Sequence, residues 1–479
     1  MSDASIIPRY EAARDALQQA GQEHVLHYWD QLDDDQRRRL LGQIESVDWR
    51  EVSRLIQTHV KQKPEFKLPE NVEPAPWYPN EPGVDLAPKY RGACAHGEQL
   101  LREGKVAAFT VAGGQGTRLG WDAPKGTFPA TPVRQLPLFA LFAEYLRKAE
   151  AKYGRPVPWY VMTSPINDAD TRAFFERNDY FGLDPDHVMI FPQGMMPAIG
   201  LDSAKVLLAD RDRIALSPNG HGGSLKALYT SGAIRDMRTR GVEQISYIQV
   251  DNPLVKVVDP LFIGLHADDH AQMSSKMLPK AYPTEKLGNF CLVDGRMTVI
   301  EYSDLPEELA YEREESGELR FRAGSIAIHV IDRDFVAELN ESEGGFRLPF
   351  HRAEKKVPYL DLETGETITP TEPNAVKLET FVFDALPLTG TSIIYETERT
   401  EEFAPIKNAE GVDSPETSRQ LQVARAARWL EQVGVRVPRN AEGEPEATLE
   451  IRPLTAIEPD DLKSADLPES IARGSEKLI

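Results

Sequence analysis

One stretch, Lys105 to Gly126 (KVAAFTVAGGQGTRLGWDAPKG), constrains this chain more than any other. Val106 to Val111 is short, apolar and partly β-branched, which predicts a buried strand. It runs directly into Gly113, Gly114, Gln115 and Gly116, then Thr117-Arg118-Leu119-Gly120. Glycines let the backbone take positive φ and bring its N–H groups close to a ligand. Lys125 follows, set in a turn between Pro124 and Gly126. A loop of amides, an arginine and a turn-fixed lysine together suit a triphosphate. A tight turn with no ligand is the other reading of a glycine cluster.

Two well-known glycine motifs do not fit. The NTPase phosphate loop needs Gly-x-x-x-x-Gly-Lys-Ser/Thr, and no Gly-Lys pair stands at the required place. The dinucleotide fingerprint needs a third glycine three residues after the second; that position is Leu119, and the glycine comes one residue late.

Beyond this stretch the pattern is strands alternating with helices, the signal for an α/β fold with a mostly parallel mixed sheet flanked by helices. Expected after Val106–Val111 are a helix Leu136–Tyr153, a strand Trp159–Thr163, a helix Asp168–Asn178 and a strand Val188–Phe191. A helix Ser224–Arg240 and a strand Ile245–Val250 follow, and strands are expected at Gly288–Asp294, Met297–Tyr302 and Gly324–Val330. In such folds ligands sit outside the carboxyl ends of the strands, where both Gly113 and Asp251 stand. Upstream, apolar spacing predicts helices over Tyr10–Ala20, His24–Gln31 and Asp34–Ile44. The proline-rich stretch 64–92 reads as a strap or linker. A C-terminal helix is expected at Glu416–Val433, followed by a tail rich in proline and acid. The expected division is a helical N-terminal region and linker over 1–102, a catalytic domain over 103–390 and a small C-terminal domain over 391–479.

Charge limits the partners. The 76 acidic residues against 55 basic ones leave a formal charge of -21, which disfavours nucleic acid and anionic membrane. An acidic protein that handles phosphates must gather Lys, Arg and metal locally. Cys94 and Cys291 are far apart with no Cys-x-x-Cys spacing, so two reduced thiols are expected. The first thirty residues lack a continuous apolar h-region and no run reaches the length of a membrane span, so a cytoplasmic protein is expected, monomeric or weakly oligomeric.

Gly-Gly-x-Gly-Thr-Arg-Leu-Gly followed by Pro-Lys-Gly resembles the signature of sugar nucleotidyltransferases. The variant here is similar to the eukaryotic-type UDP-N-acetylhexosamine pyrophosphorylases, and the similarity recurs along most of the chain. It implies a Rossmann-like nucleotidyltransferase fold and uridylyl transfer: UTP and a sugar 1-phosphate give a UDP-sugar and pyrophosphate. The implied acceptor is N-acetylglucosamine 1-phosphate.

Site residues follow from matching segments. Ala112, Gly113 and Gly114 line the nucleotide, with Arg118 and Lys125 on the β- and γ-phosphates. Asp251, in YIQVDNPL, ends a buried strand, where a carboxylate can hold Mg²⁺ or can cap the turn of Asp-Asn-Pro; the resemblance favours the metal. Gln193, in FPQGMMPAI, matches the uracil-framing segment, and its amide offers donor and acceptor together. In SPNGHGGSLKAL, Gly220, His221 and Gly222 match a nucleotide- and sugar-contacting turn, with Ser224 an alternative helix cap. Glu301 and Tyr302 match a sugar-contacting Glu-Tyr-Ser. Lys377 and Lys407 match two lysines near the phosphates, which would need the C-terminal region to fold back over the site as a closing lid.

Two departures bear on the sugar. His221 stands in a Gly-His-Gly spelling seen in UDP-glucose pyrophosphorylases, and Gly324-Ser325-Ile326-Ala327-Ile328-His329 lacks both asparagines of the acetamido-sugar branch. A UDP-glucose or broad UDP-sugar pyrophosphorylase is therefore the second reading. A nucleotide-sugar sensor without catalysis is a third, opposed by the presence of Arg118, Lys125 and Asp251.

Overall fold

The computed structural model describes residues 6–64, 68–342, 346 and 348–479. The chain forms two compact units that cut across sequence order. One comprises Met1–Lys67, Gln193–Ser224 and Leu348–Val382; the other comprises Leu68–Pro192, Leu225–Arg347 and Phe383–Ile479.

The larger unit is built on a 10-stranded mixed sheet. Its strands are β1 (Val72–Pro74), β2 (Val106–Val111), β3 (Trp159–Thr163), β4 (Val188–Pro192), β5 (Gln244–Gln249), β6 (Met273–Pro279), β7 (Asn289–Val293), β8 (Arg296–Ile300), β9 (Ala323–Asp332) and β10 (Ile394–Glu396). The main path runs β1-β7-β9-β5-β2-β3-β4, with β6 on β9, β8 on β7, and β10 on β6. β5, β2, β3 and β4 are mutually parallel, and their near-continuous apolar runs are buried because helices cover both faces. The expected α/β class and most of its strands are those observed. β6 and β10 were missed: Met273–Pro279 carries Ser274, Ser275 and Lys276, polar residues that a hydrophobicity pattern does not read as core.

Three further differences have local causes. His24–Gln31 is two short 3₁₀ turns, Glu23–Leu26 and Trp29–Gln31, and not one helix. Ser224–Arg240 is two helices, Gly223–Thr230 and Ala233–Arg240, separated at Gly232, whose φ of 86° no helix accommodates. The expected strap over 64–92 is largely structured, apart from residues 65–67, which lie outside the described residues. Val72–Pro74 pairs with β7 as an edge strand, where proline costs no ladder bond, and a helix Ala87–Arg102 begins with Pro88 in its first turn.

In the smaller unit, helices Ile6–Ala20, Asp34–Ser46 and Trp49–Leu55 bury Leu17, Leu40, Leu41 and Val52 together with Ile199, Leu208, Val376 and Leu378. Asp33 starts the second helix with a capping box to Gln36. Residues 1–67 are thus grouped with 193–224 and 348–382, while 68–102 belong to the sheet unit. The C-terminal residues also belong to the sheet unit. There the buried Glu450 accepts from the backbone N–H of Val133 and Arg134 and from Arg134 Nε, and Lys152 pairs with Glu458 and Asp461. Cys94 and Cys291 are free thiols. Among the described residues no helix is long and apolar enough to cross a membrane.

Burial holds the His266 imidazole down at about 3. Its folded value lies below that of the unfolded chain, so between the two the unfolded state binds a proton the folded state refuses. Stability is complete above pH 6.5 and is lost as pH falls. Between pH 6.5 and 5, before most carboxylates titrate, this one residue is expected to cost about 2 kcal/mol. Urea unfolding across that window should show the slope, and His266→Gln should lessen it by this residue's share, the part set by His221 remaining.

Candidate functional site

Adjacent parallel strands bring the glycine-loop residues and Asp251 to one edge. Val111 ends β2 opposite Gln249 near the end of β5, and the Val250 N–H donates to the Val111 carbonyl at 3.1 Å. The glycine loop and Asp251 therefore leave neighbouring strands on the same side.

The loop closes on itself. Gly116 N–H donates to the Ala123 carbonyl at 2.9 Å, and Lys125 N–H donates to the Gly114 carbonyl at 3.1 Å. The turn Lys125–Thr127 packs on the helix Leu138–Tyr153: a Cβ on Gly126 would stand 2.1 Å from the Phe139 ring. Nothing lies within 4 Å of where a Gly114 Cβ would be, so that backbone is open to a ligand. Ala112 is buried beneath it. Arg118 rides on the 3₁₀ turn Thr117–Leu119, exposed and, among the described residues, in no ion pair.

Lys125 Nζ lies 3.6 Å from Asp251 Oδ2, with side chains 17% and 14% exposed. Partial burial strengthens this pair over a surface one. The C-terminal strand of chain after β10 reaches the same place: the Ile406 N–H donates to the Asp251 carbonyl at 2.8 Å. Lys407 follows, its Nζ 3.9 Å from Asp413 and 5.5 Å above the Phe403 ring. Burial raises the Asp413 carboxyl, and the Asp251 charge adds to this against Lys407. Glycine loop, Lys125, Asp251 and Lys407 are therefore gathered within one unit. Glu301 and Tyr302 belong to that unit but follow β8, which is separated from β5 by β7 and β9; Tyr302 is exposed.

Gln193, Gly220, His221, Gly222 and Lys377 lie in the smaller unit. Gln193 is buried, and its Oε1 has no hydrogen-bond partner among the described residues. Residues 219–222 run against 380–382: the Gly222 N–H donates to the Thr380 carbonyl at 2.8 Å, and the Val382 N–H donates to His221 Nδ1 at 3.1 Å. His221 stacks on Phe381. Burial, helped by His351, lowers the His221 imidazole to about 4. It is neutral at pH 7, with Nδ1 as the acceptor. The glycines here serve the chain's own packing. A Cβ on Gly220 would stand 2.3 Å from the Thr380 carbonyl oxygen, and one on Gly222 would stand 2.7 Å from the Phe381 nitrogen. Lys377 sits mid-strand in Ala375–Glu379, opposite Ala353.

Sequence reasoning missed Asn167. It is fully buried, and its Nδ2 donates to the carbonyls of Ala112 (3.0 Å) and Gly114 (3.2 Å). Its Oδ1 accepts from Ser164 N–H at 2.8 Å and Oγ at 3.1 Å. One amide thus holds both ends of the glycine turn to the end of β3. Asparagine before a helix reads simply as a cap, so no sequence signal separates the roles. Asn167→Ala is expected to raise KM for UTP about tenfold while kcat falls less, since it frees the glycine turn from β3 and leaves the buried Ala112 carbonyl without this donor. Initial rates over a UTP series would check this.

A metal, if bound here, has one carboxylate at the strand end. Among the described residues no group of three or more His, Cys, Asp or Glu could hold an ion. Asp251 with phosphate oxygens and water fits Mg²⁺, which keeps several waters and takes one or two carboxylates.

The sequence matches the family described as UTP--glucose-1-phosphate uridylyltransferase over residues 84–434. It is 35% identical over 487 residues to the UDP-N-acetylhexosamine pyrophosphorylase-like protein 1 of Xenopus tropicalis, covering 95% of this chain and 93% of that one. It is 31% identical over 475 residues to the probable UDP-N-acetylglucosamine pyrophosphorylase of Dictyostelium discoideum, covering 95% of each. The fold is similar to the crystal structure of the uridine diphosphate N-acetylglucosamine pyrophosphorylase from Trypanosoma brucei, with TM-score 0.83, 26% identity and coverage of 100% of this chain and 98% of that one. The strand-end loop, the acidic residue beside it and these full-length likenesses agree: the chain belongs to the UTP--glucose-1-phosphate uridylyltransferase family, among relatives named UDP-N-acetylhexosamine and UDP-N-acetylglucosamine pyrophosphorylases.

Proposed function

We propose that this chain is a uridylyltransferase that converts UTP and N-acetylglucosamine 1-phosphate into UDP-N-acetylglucosamine and pyrophosphate. The observation that carries it is the Lys125–Asp251 pair at 3.6 Å beside an open glycine loop at the ends of parallel strands. An oxygen of the sugar phosphate attacks the α-phosphorus of UTP, and the bond to the bridging oxygen breaks to release pyrophosphate. That nucleophile is already mostly ionised near neutral pH, its second pKa being about 6, so no general base is needed. Rate then rests on in-line positioning and on neutralising charge.

Arg118 and Lys125 hold the β- and γ-phosphates, and Lys377 and Lys407 screen the incoming sugar phosphate. Ala112, Gly113 and Gly114 offer backbone to the nucleotide. Gln193 meets the uracil imide; its unpaired buried Oε1 supports this, because such an oxygen costs about 1–3 kcal/mol until a donor reaches it. The resemblance assigns Gly220 to the nucleotide and His221, Gly222, Glu301 and Tyr302 to the sugar, and this reading keeps those assignments. Mg²⁺ held by Asp251 would neutralise charge on the phosphates. A cytoplasmic protein that binds neither nucleic acid nor membrane, monomeric or weakly associated, completes the reading.

Glucose 1-phosphate is the second acceptor to consider, because of His221 and the missing asparagines. Pyrophosphate release from UTP with each sugar phosphate decides. The expected result is at least tenfold higher kcat/KM for the acetamido sugar, the discrimination of roughly 1.4 kcal/mol that a small set of contacts supplies. Equal or better use of glucose 1-phosphate overturns the sugar assignment, and absence of turnover despite UTP binding supports the sensor.

A further inference from the structure

Behind Asp251 the larger unit contains an ionic cluster that the reaction as described does not use. Lys276, on β6, is fully buried. Its Nζ donates to both oxygens of Glu402, at 2.7 and 2.6 Å, and to Asp259 Oδ2 at 2.6 Å. Glu402 is fully buried as well, and also accepts from Thr397 Oγ1 at 2.8 Å and from the Lys256 N–H at 3.3 Å. Lys256 Nζ stands 3.9 Å from Asp259, so two cations face two anions. A buried ion group so completely satisfied is poor evidence for stability, since apolar residues of equal volume often serve better. It does fix geometry, because every partner has one place to be.

What it fixes is the segment that carries Lys407. Asn252, adjacent to Asp251 and buried, donates from Nδ2 to the Glu402 carbonyl at 2.7 Å. Its Oδ1 accepts from the Ala404 N–H at 3.0 Å and the Leu254 N–H at 3.2 Å. Two residues on, the Ile406 N–H reaches the Asp251 carbonyl. Three hydrogen bonds thus stitch residues 402–406 to Asp251 and Asn252, and the Lys276–Glu402 pair pins the start of the seam. From the buried end outward the chain of contacts is Lys276, Glu402, Asn252, then Asp251 on one side and Lys407 on the other.

We propose that Asn252 and the buried Glu402–Lys276 pair are positioning residues that fix the segment carrying Lys407 against Asp251 for uridylyl transfer. All three act through Lys407, the charged group they place. The inference rests on the proposed role of Lys407, and a double-mutant cycle separates the two. The variants are Asn252→Ala, Lys407→Ala and the pair together, with Glu402→Gln and its pair with Lys407→Ala as a second, isosteric cycle should Asn252→Ala fold poorly. Each is assayed for kcat and both KM values with UTP, N-acetylglucosamine 1-phosphate and Mg²⁺, alongside its thermal midpoint.

Displacing a reacting charge by a fraction of an ångström is expected to lower kcat about tenfold in Asn252→Ala, with KM for UTP within about twofold. In the Lys407→Ala background the same change should add less than about twofold, because the group being positioned is gone. An equal loss in both backgrounds, or a loss confined to thermal midpoint, overturns positioning and leaves a structural role. Wild-type kcat in Lys407→Ala overturns the proposal while UDP-sugar synthesis stands. No product from the unmutated chain with any sugar phosphate overturns both.

Discussion

Lys125→Ala is expected to lower kcat by about 10²–10³-fold, the scale seen when one preorganised donor to a developing charge is removed. Two features make this lysine consequential. Its backbone is fixed by the bond from its N–H to the Gly114 carbonyl and by the seating of Gly126 on Phe139, so Nζ has little freedom to wander. Its neighbour is Asp251, at 3.6 Å, so the substitution also removes the cation that offsets this carboxylate. A triphosphate then meets this carboxylate with one cation fewer. The loss should therefore appear in kcat/KM for UTP as well as in kcat. Lys125→Arg keeps the charge but not the shape, and a planar fork in place of a compact ammonium should recover only part of the rate. Steady-state pyrophosphate release, with circular dichroism to confirm the fold, is the measurement. Wild-type turnover in Lys125→Ala would remove this residue from the machinery.

The second large effect is on stability, and lies at a helix crossing. Helices Ala87–Arg102 and Pro260–Asp268 meet at two glycines. A Cβ on Gly264 would stand 1.7 Å from the Ala93 carbonyl oxygen, and one on Gly97 would stand 1.8 Å from that of Pro260. Both obstacles are backbone, so neither can swing aside as a side chain would. Gly264→Ala must push the helices apart, opening the packing around Ala93, Phe262 and Ile263. We expect a loss of about 3 kcal/mol or more, at the upper end for overpacked cores. Gly92→Ala is the control: it lies in the facing helix, Ala87–Arg102, with nothing within 4 Å, and should be neutral or stabilise by up to about 1 kcal/mol through helix propensity. Thermal midpoints of the two variants should diverge by several degrees. The helix Pro260–Asp268 is capped by Asp259, which also contacts Lys276, so displacement there should reach the cluster behind Asp251.

Both results turn on contacts between residues far apart in sequence, and this marks where sequence reading succeeds. Val106–Val111 and Trp159–Thr163 were legible because both faces are buried, which forces continuous apolar runs, and Val188–Pro192 and the strand before Asp251 because their apolar residues are mostly β-branched or aromatic. The loop was legible because glycine, arginine and proline-bounded lysine are costly or unusual choices in sequence unless the backbone or a ligand needs them. Met273–Pro279 was not, because its polar side chains are satisfied by residues distant in sequence or in other elements, Asp259, Glu402, His266 and His329. The glycines at 220 and 222 were legible as residues but not as reasons: they make room for the backbone of Thr380 and Phe381, and no local pattern could say so.

Resemblance to known motifs supplied the family, and by itself the order of residues determined an α/β sheet, a glycine turn at the end of one strand and an acidic residue at the end of another. These are local properties of composition and spacing. Only the tertiary structure decided that the two strands are neighbours, that Lys125 pairs with Asp251, that Asn167 holds the turn, and that residues 402–406 are sewn beside Asn252. Each of those depends on a hydrogen bond or ion pair across tens to hundreds of residues, and burial makes such bonds strong without leaving a periodicity in the sequence.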